Sequence, residues 1–291
     1  MGEAAALIAA FTWSATSVAM ASLSARVTPA AISTVRLIIA SLAIPVLLLL
    51  SGQTGDLAEA PASAVLAMIG SGILAYAIGD TLYIMALARL GVQRAFTITM
   101  TLFILLTIGG GILLLDEEVH WYQGAGAALV AAGILLIVRS RTGAQAAGGL
   151  DRTAYLMVVG VGVTWAAATL WLADARGDLG AIPASAIRTP AGAIGMVVFM
   201  AAFGRADLKA AVTHRPTLVA LTVLGLVGTL FGSLLYVYAI GEAGAARTTI
   251  LNASSPMLAL PLSVLFLKEK VSRRTIGGTA LSVAGIVLVI L

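Results

Sequence analysis

Ser33-Thr34-Val35-Arg36 returns 152 residues later as Ser185-Ala186-Ile187-Arg188. The match extends in both directions. Upstream, Thr12-Trp13 has its counterpart in Thr164-Trp165 at the same spacing. Downstream, Gly79-x-x-x-Tyr83 answers to Gly232-x-x-x-Tyr236, and Gly91-x-x-Arg94 to Gly244-x-x-Arg247, at a spacing of 153. Glu117, Gly126 and Gly133 then pair with Glu269, Gly278 and Gly285, back at 152. A repeat that fills half of an apolar chain is the sequence mark of a membrane protein assembled from two related units, an architecture common among secondary transporters.

The composition agrees. Of 291 residues, 60% are apolar and only 10% are charged, where a soluble domain would carry roughly 25% charged residues. The chain is therefore an integral membrane protein whose main surroundings are the lipid bilayer. It has no cysteine, which excludes disulfides and thiolate chemistry. Its two histidines, His120 and His214, fall in connections, which argues against a histidine metal site. No cofactor or metal is expected. The net charge of +4 reports membrane topology rather than nucleic-acid binding. The first twenty residues lack a basic start and read as a first span rather than a signal peptide.

Crossing a bilayer takes ~20 apolar residues in a helix. Ten segments qualify, at about 4–22, 30–50, 63–88, 95–115, 120–138, 153–173, 182–204, 217–240, 246–267 and 274–291. Runs such as Leu42 to Leu50 show no alternation of polarity, which favours helices over transmembrane strands. The expected fold is all-α, with ten transmembrane helices as two inverted five-helix repeats. Residues 1–140 form the first repeat, 141–152 a linker, and 153–291 the second repeat.

The inversion is read from loop charge. Arg26, Arg89, Arg94, Arg139, Arg141, Arg152, Arg205, Lys209, Arg215, Lys268, Lys270, Arg273 and Arg274 all fall in alternate connections. The opposite connections hold Arg176 and Arg247 among acids such as Asp56, Glu59 and Asp116. The equivalent loops Asp116-Glu117-Glu118 and Lys268-Glu269-Lys270 have opposite charge, so they belong on opposite membrane faces. Five spans per half, an odd number, force the same inversion. The positive-inside rule then places both termini outside the cytoplasm. The expected location is a bacterial inner membrane, and the expected assembly is a monomer or weak dimer.

Ionisable residues inside spans are costly and mark function by default. Asp80 lies about nine residues from the Arg89 end of its span, or roughly 13 Å deep, and Arg36 lies roughly 9 Å deep from the same face. The two are expected to pair inside the bundle, either as a fixed strut or as a pair that opens for substrate or a proton. Arg188 repeats Arg36, but Asp80 is matched by Ser233. Arg188 is expected to snorkel to the interface, to meet Glu242 or Asp174, or to hold a substrate carboxylate through its planar fork. Trp13 and Trp165, with Tyr76, Tyr83 and Tyr236, could line a cavity and stack on an organic substrate. Spans 4 and 9 are unusually polar. At the 153 spacing Thr99 matches Asn252, Thr101 matches Ser254 and Phe103 matches Pro256. Thr99, Asn252 and Ser255 join the candidate site, because polar side chains at this depth glue helices or face substrate. Gly109-Gly110-Gly111 and Gly277-Gly278 would permit close helix approach.

These residues resemble a family. Trp13, Arg36, Gly79-Asp80-x-x-Tyr83, Pro256, and Glu117 and Glu269 shortly before Gly126 and Gly278 look like the EamA-type branch of the drug/metabolite transporter superfamily. The resemblance covers essentially the whole chain. It implies two inverted five-helix repeats around a central cavity and export or exchange of small metabolites, as in the YddG-type aromatic amino acid exporters. On topology it points to cytoplasmic termini, opposite to the loop charges. The expected partner is a small-molecule substrate moved by alternating access, with a proton as candidate coupling ion. An anionic-metabolite or nucleotide-sugar exchanger would want several buried cations, and only Arg36 and Arg188 are available. An intramembrane enzyme would need a nucleophile with its base or a metal cluster. A non-transporting scaffold would need no polar cavity.

Overall fold

The computed structural model describes residues 1–24, 26–90, 92–139, 151–176, 179–203, 205–255, 258 and 273–290. Gly91, Ser140, residues 141–150 of the linker, Pro256 and Lys268-Glu269-Lys270 lie outside them. Among the described residues there is no strand. The helices are α1 (Gly2–Leu23), α2 (Pro29–Ser51), α3 (Ala62–Leu90), α4 (Val92–Leu114) and α5 (Trp121–Arg139) in the first half. The second half contributes α6 (Arg152–Arg176), α7 (Ala181–Phe203), α8 (Arg215–Ala243), α9 (Ala245–Asn252) and α10 (Arg273–Ile290). Short helices Thr54–Ala58 and Arg205–Thr213 occupy matching places before α3 and α8.

Among the described residues, five segments are long and apolar enough to cross a membrane: Pro29–Ser51, Ala62–Leu90, Arg152–Ala175, Ala181–Ala202 and Arg215–Ala243. Ile98–Leu114 and Ile276–Val289 are shorter apolar helices. The packing is inside-out relative to a water-soluble bundle. Leu42, Leu50, Leu113 and Val198 stand exposed, whereas Ser33, Thr34, Arg36, Ser71, Arg188 and Thr248 are buried. A bilayer solvates the first set, so polar contacts and close packing, rather than an apolar core alone, must hold the helices together.

Local sequence explains the helix ends. Pro29 opens α2 at the first helical position, where its missing N–H costs nothing. Gly52 closes the helix in the left-handed conformation at φ 70°. Gly244, at φ 79°, turns the chain between α8 and α9. Both α3 and α8 contain a π-helical stretch at equivalent depth, Ile73–Gly79 and Leu224–Phe231. Such widened turns often mark functional sites. Here each offers a carbonyl to an indole: Trp165 Nε1 donates to Ala75 O at 3.2 Å, and Trp13 Nε1 donates to Gly228 O at 2.9 Å.

Those two bonds are the repeat expressed as contact. Trp13 and Trp165 are counterparts, and so are Ala75 and Gly228. Each member of one pair touches the opposite half's member of the other. The same exchange recurs where a Cβ at Gly225 would collide with Arg36 O and one at Gly72 with Arg188 O. It recurs again where Gly79 faces Trp165 and Gly232 faces Trp13. α5 and α10 fix the direction of the symmetry axis. Gly126 packs on Gly285 and Gly133 on Gly278, so these equivalent helices run antiparallel. Only a two-fold axis perpendicular to the helices does this, and the repeats are therefore inverted.

The halves interleave. The principal packing partners are α1 with α8, α2 with α7, α3 with α6 and α7, α4 with α6, and α5 with α10. Every one of these pairs crosses between halves. At one end of the bundle, Arg247 Nη1 donates to Glu3 Oε1 at 2.9 Å. There the Glu117 carboxylate also accepts the N–H groups of Ala245 and Ala246 at 2.7 and 3.0 Å. The N-terminus, the α4–α5 connection and the start of α9 thus share a face. Arg89 and Asp151, 3.7 Å apart, join the α3–α4 connection to the start of α6 at the other end.

Candidate functional site

A cavity of about 90 Å³ lies at the middle of the bundle. That is several times the ~10–15 Å³ that lodges one water molecule. Its walls come from α1, α2, α3, α4, α6, α8, α9 and the residues just beyond α9. Two aromatic groups face each other in the manner of the repeat. Trp13 and Tyr236 pack at 5.2 Å between ring centroids and 45°, and Trp165 and Tyr83 at 5.0 Å and 50°. Phe103 adds an edge contact to Trp165 at 6.1 Å.

The polar wall is asymmetric. Arg36 Nη2 donates to Asp80 Oδ2, and Arg36 Nη1 donates to Thr229 Oγ1 at 3.3 Å. Asp80 Oδ1 accepts the Trp165 indole N–H at 3.2 Å. The pair expected from depth alone is therefore present and faces the cavity. Arg36 is buried and its Nε has no partner among the described residues. Opposite, Asn252 is buried with Oδ1 likewise unpartnered. The cavity thus presents one spare donor and one spare acceptor beside a neutralised ion pair. Polar groups left open at this depth are costly, and a bound polar molecule would satisfy them.

Matches to known proteins fit this geometry. A model of the EamA-like transporter family matches residues 1–139 and 152–291, once over each half. The chain belongs to the EamA-like transporter family. It is an integral membrane protein of a transporter family, built from the two copies that the family model detects. No curated protein matches the chain. One solved crystal structure is 16% identical to this EamA-like chain. It aligns with 99% of this chain and 94% of its own length at a TM-score of 0.81, which is a likeness of fold.

Nine residues expected from sequence meet on the cavity of this EamA-like protein: the two tryptophans, Tyr76, Tyr83, Tyr236, Arg36, Asp80, Asn252 and Ser255. Two expectations need correction. Thr99 is fully buried but lies outside the cavity. Met100 and Phe103 line it instead, opposite Asn252 and Ser255. α4 is continuous where α9 stops at Asn252 and the chain turns at Ala253-Ser254, so the two segments differ locally.

The second correction concerns Arg188. It does not snorkel and meets neither Glu242 nor Asp174. It is buried, with Nε donating to Ser71 Oγ at 2.9 Å and Nη1 donating to Tyr76 OH at 3.1 Å. Its guanidinium also lies 4.8 Å from the Tyr76 ring centroid. It stands one residue behind the cavity wall. Ser71 is itself anchored by donating to Ala168 O at 2.7 Å.

Sequence reasoning missed Ser17, Thr169, Thr229 and Ser233 on the wall. The repeat carried the signal. Ser17 and Thr169 are counterparts, Thr229 is the counterpart of Tyr76, and Ser233 that of Asp80. Extending each candidate to its mate would have found Thr229 and Ser233, whereas Ser17 and Thr169, being each other's mates, had no candidate to lead to them. Of the small-residue clusters, Gly110 meets Leu170, but Gly109 meets nothing and Gly277 makes only ordinary contact with Leu136. The closest approaches to the backbone of another helix belong to Gly72, Gly126, Gly133 and Gly285.

Proposed function

We propose that the protein is a secondary transporter exporting or exchanging small organic metabolites, with amino acids bearing an aromatic or apolar side chain as the leading class. Ten transmembrane helices in two inverted repeats would carry it in a bacterial inner membrane, both termini extracytoplasmic by loop charge. The observation that carries the reading is the cavity itself. Two aromatic walls enclose an ion pair, an open guanidinium N–H and an open amide oxygen. An α-amino acid offers an ammonium to the amide oxygen, a carboxylate to open donors on the wall and an apolar body to the aromatic groups.

Alternating access moves one group of helices against another around such a site. Because each helix packs most closely on a helix of the other half, the moving groups are mixed sets drawn from both repeats. A proton is a candidate coupling ion, with Asp80 as its place of attachment. The test is flux of an amino-acid library in proteoliposomes of the full chain, with and without a proton gradient. Asp80→Asn and Trp165→Ala should each lower flux at least tenfold while the purified variants remain folded. Normal flux in both variants would sink the site assignment.

A further inference from the structure

The two halves treat equivalent arginines differently. In the first half, the Asp80 carboxylate sits among Arg36, the Trp165 indole N–H and the cavity. Under the two-fold axis these map onto Arg188 and the Trp13 indole N–H, and Asp80 maps onto Ser233. The mapping is anchored on both sides of the position. Gly79 faces Trp165 as Gly232 faces Trp13. Tyr83 packs on Trp165 as Tyr236 packs on Trp13. Ser233 is buried on the cavity wall, and its hydroxyl is too short to reach where the mate of the Asp80 carboxylate would lie.

Arg188 is therefore a buried cation with no carboxylate partner among the described residues. Around the cavity, Arg36, Asp80 and Arg188 sum to one excess positive charge. An isolated buried charge is unfavourable unless a counter-charge reaches it. The route is in place. Tyr76 OH accepts the Arg188 N–H, which leaves the phenolic hydrogen free to be donated into the cavity that Tyr76 lines. A guanidinium behind a phenol makes that phenol a stronger donor.

We infer that the second half contains a carboxylate subsite formed by Ser233 Oγ and Tyr76 OH and polarised by Arg188, with the Trp13 indole N–H shared between Gly228 O and the ligand as that of Trp165 is shared between Ala75 O and Asp80, in which the substrate supplies the carboxylate that the repeat has lost. The inference rests on the reading of the cavity as a transport site and narrows its substrates to organic acids with an apolar body. Monocarboxylates and zwitterions belong to this class; amines and neutral amides do not.

The test measures binding to the full chain in detergent by calorimetry with four probes of one shape: 3-phenylpropanoate, L-phenylalanine, 3-phenylpropanamide and 2-phenylethylamine. Both acids should bind at least tenfold more tightly than the amide and the amine, a difference of about 1.4 kcal/mol. Ser233→Asp restores the missing carboxylate beside Arg188 and should erase that preference by occupying the subsite from within. Ser233→Asn, of the same size but uncharged, should keep it. The inference is overturned if the amide binds as well as the acids, if neither acid binds at millimolar concentration, or if folded Ser233→Asp keeps the wild-type preference. The comparison of acid with amide stands on wild-type protein even where Ser233→Asp fails to fold. Amine or amide flux that is lost in Trp165→Ala would leave the transport reading intact while overturning the subsite. Absence of any flux would remove the transport reading first.

Discussion

Asp80 holds Arg36 on one carboxylate oxygen and the Trp165 indole on the other, so it ties α2, α3 and α6 together at the cavity wall. Breaking a buried pair by deleting one partner strands the other charge, at a cost of about 3–5 kcal/mol, whereas replacing both with apolar groups is often neutral. Asp80→Leu alone should therefore lower the thermal unfolding midpoint clearly, and Asp80→Leu combined with Arg36→Met should recover most of the loss. The double variant should still fail to transport. Recovery of stability without recovery of flux would separate the functional from the structural share of the pair. This pair was legible in the sequence because loop charges set both depths and two long side chains at like depth can meet. Arg188 was misread for the same reason. Its depth suggested an easy exit to the interface, and only the packed structure shows Ser71 and Tyr76 closing that exit.

At the scale of the element, glycine pattern and capping decide what can approach what. Gly133 leaves room for Gly278 O and the Ser282 side chain on α10. Gly133→Leu would force α5 and α10 apart, and overpacking of this kind typically costs about 1–3 kcal/mol. A lowered unfolding midpoint is expected, with a larger drop than for Gly124→Leu, whose site is open. Glu117 is a different case. Its loop charge was readable, but its use was not. The carboxylate caps the first N–H groups of α9 across 128 residues of sequence. A carboxylate there is favoured both by the open N–H groups and by the helix dipole. Glu117→Ala should destabilise the protein by about 0.5–2 kcal/mol, and Glu117→Gln by less. Equal stability in all three proteins would contradict the capping role. Which face of α4 meets the cavity was hidden because Thr99 and Met100 are neighbours on one helix, and only the packing shows that Met100 and Phe103 line it.

At the scale of the molecule, the exchanged contacts of Trp13 with Gly228 and Trp165 with Ala75 establish the two-fold relation, and α5 against α10 establishes that it inverts. The side of the membrane is a separate matter, set by loop charge. The absence of cysteine makes the test clean: a single cysteine placed at the N-terminus should react with a membrane-impermeant maleimide in intact cells. A cysteine beside Arg89, at the opposite end of the bundle, should react only after permeabilisation. The reverse pattern would invert the topology without changing the fold.

By itself, the sequence determined that the chain lives in a bilayer, that it is a duplicated helical protein, and that its halves are inverted. Composition, span length and loop charge act locally, so they can be read one segment at a time. The tertiary structure alone decided that the halves interleave, that Met100 rather than Thr99 faces the cavity, and that Arg188 is buried behind Tyr76. It also placed Ser233, matched to Asp80 in the sequence, on the cavity wall. Each of these depends on which helix lies beside which. In an apolar chain, where most surfaces are chemically alike, that choice is made by shape and by a few polar contacts far apart in sequence.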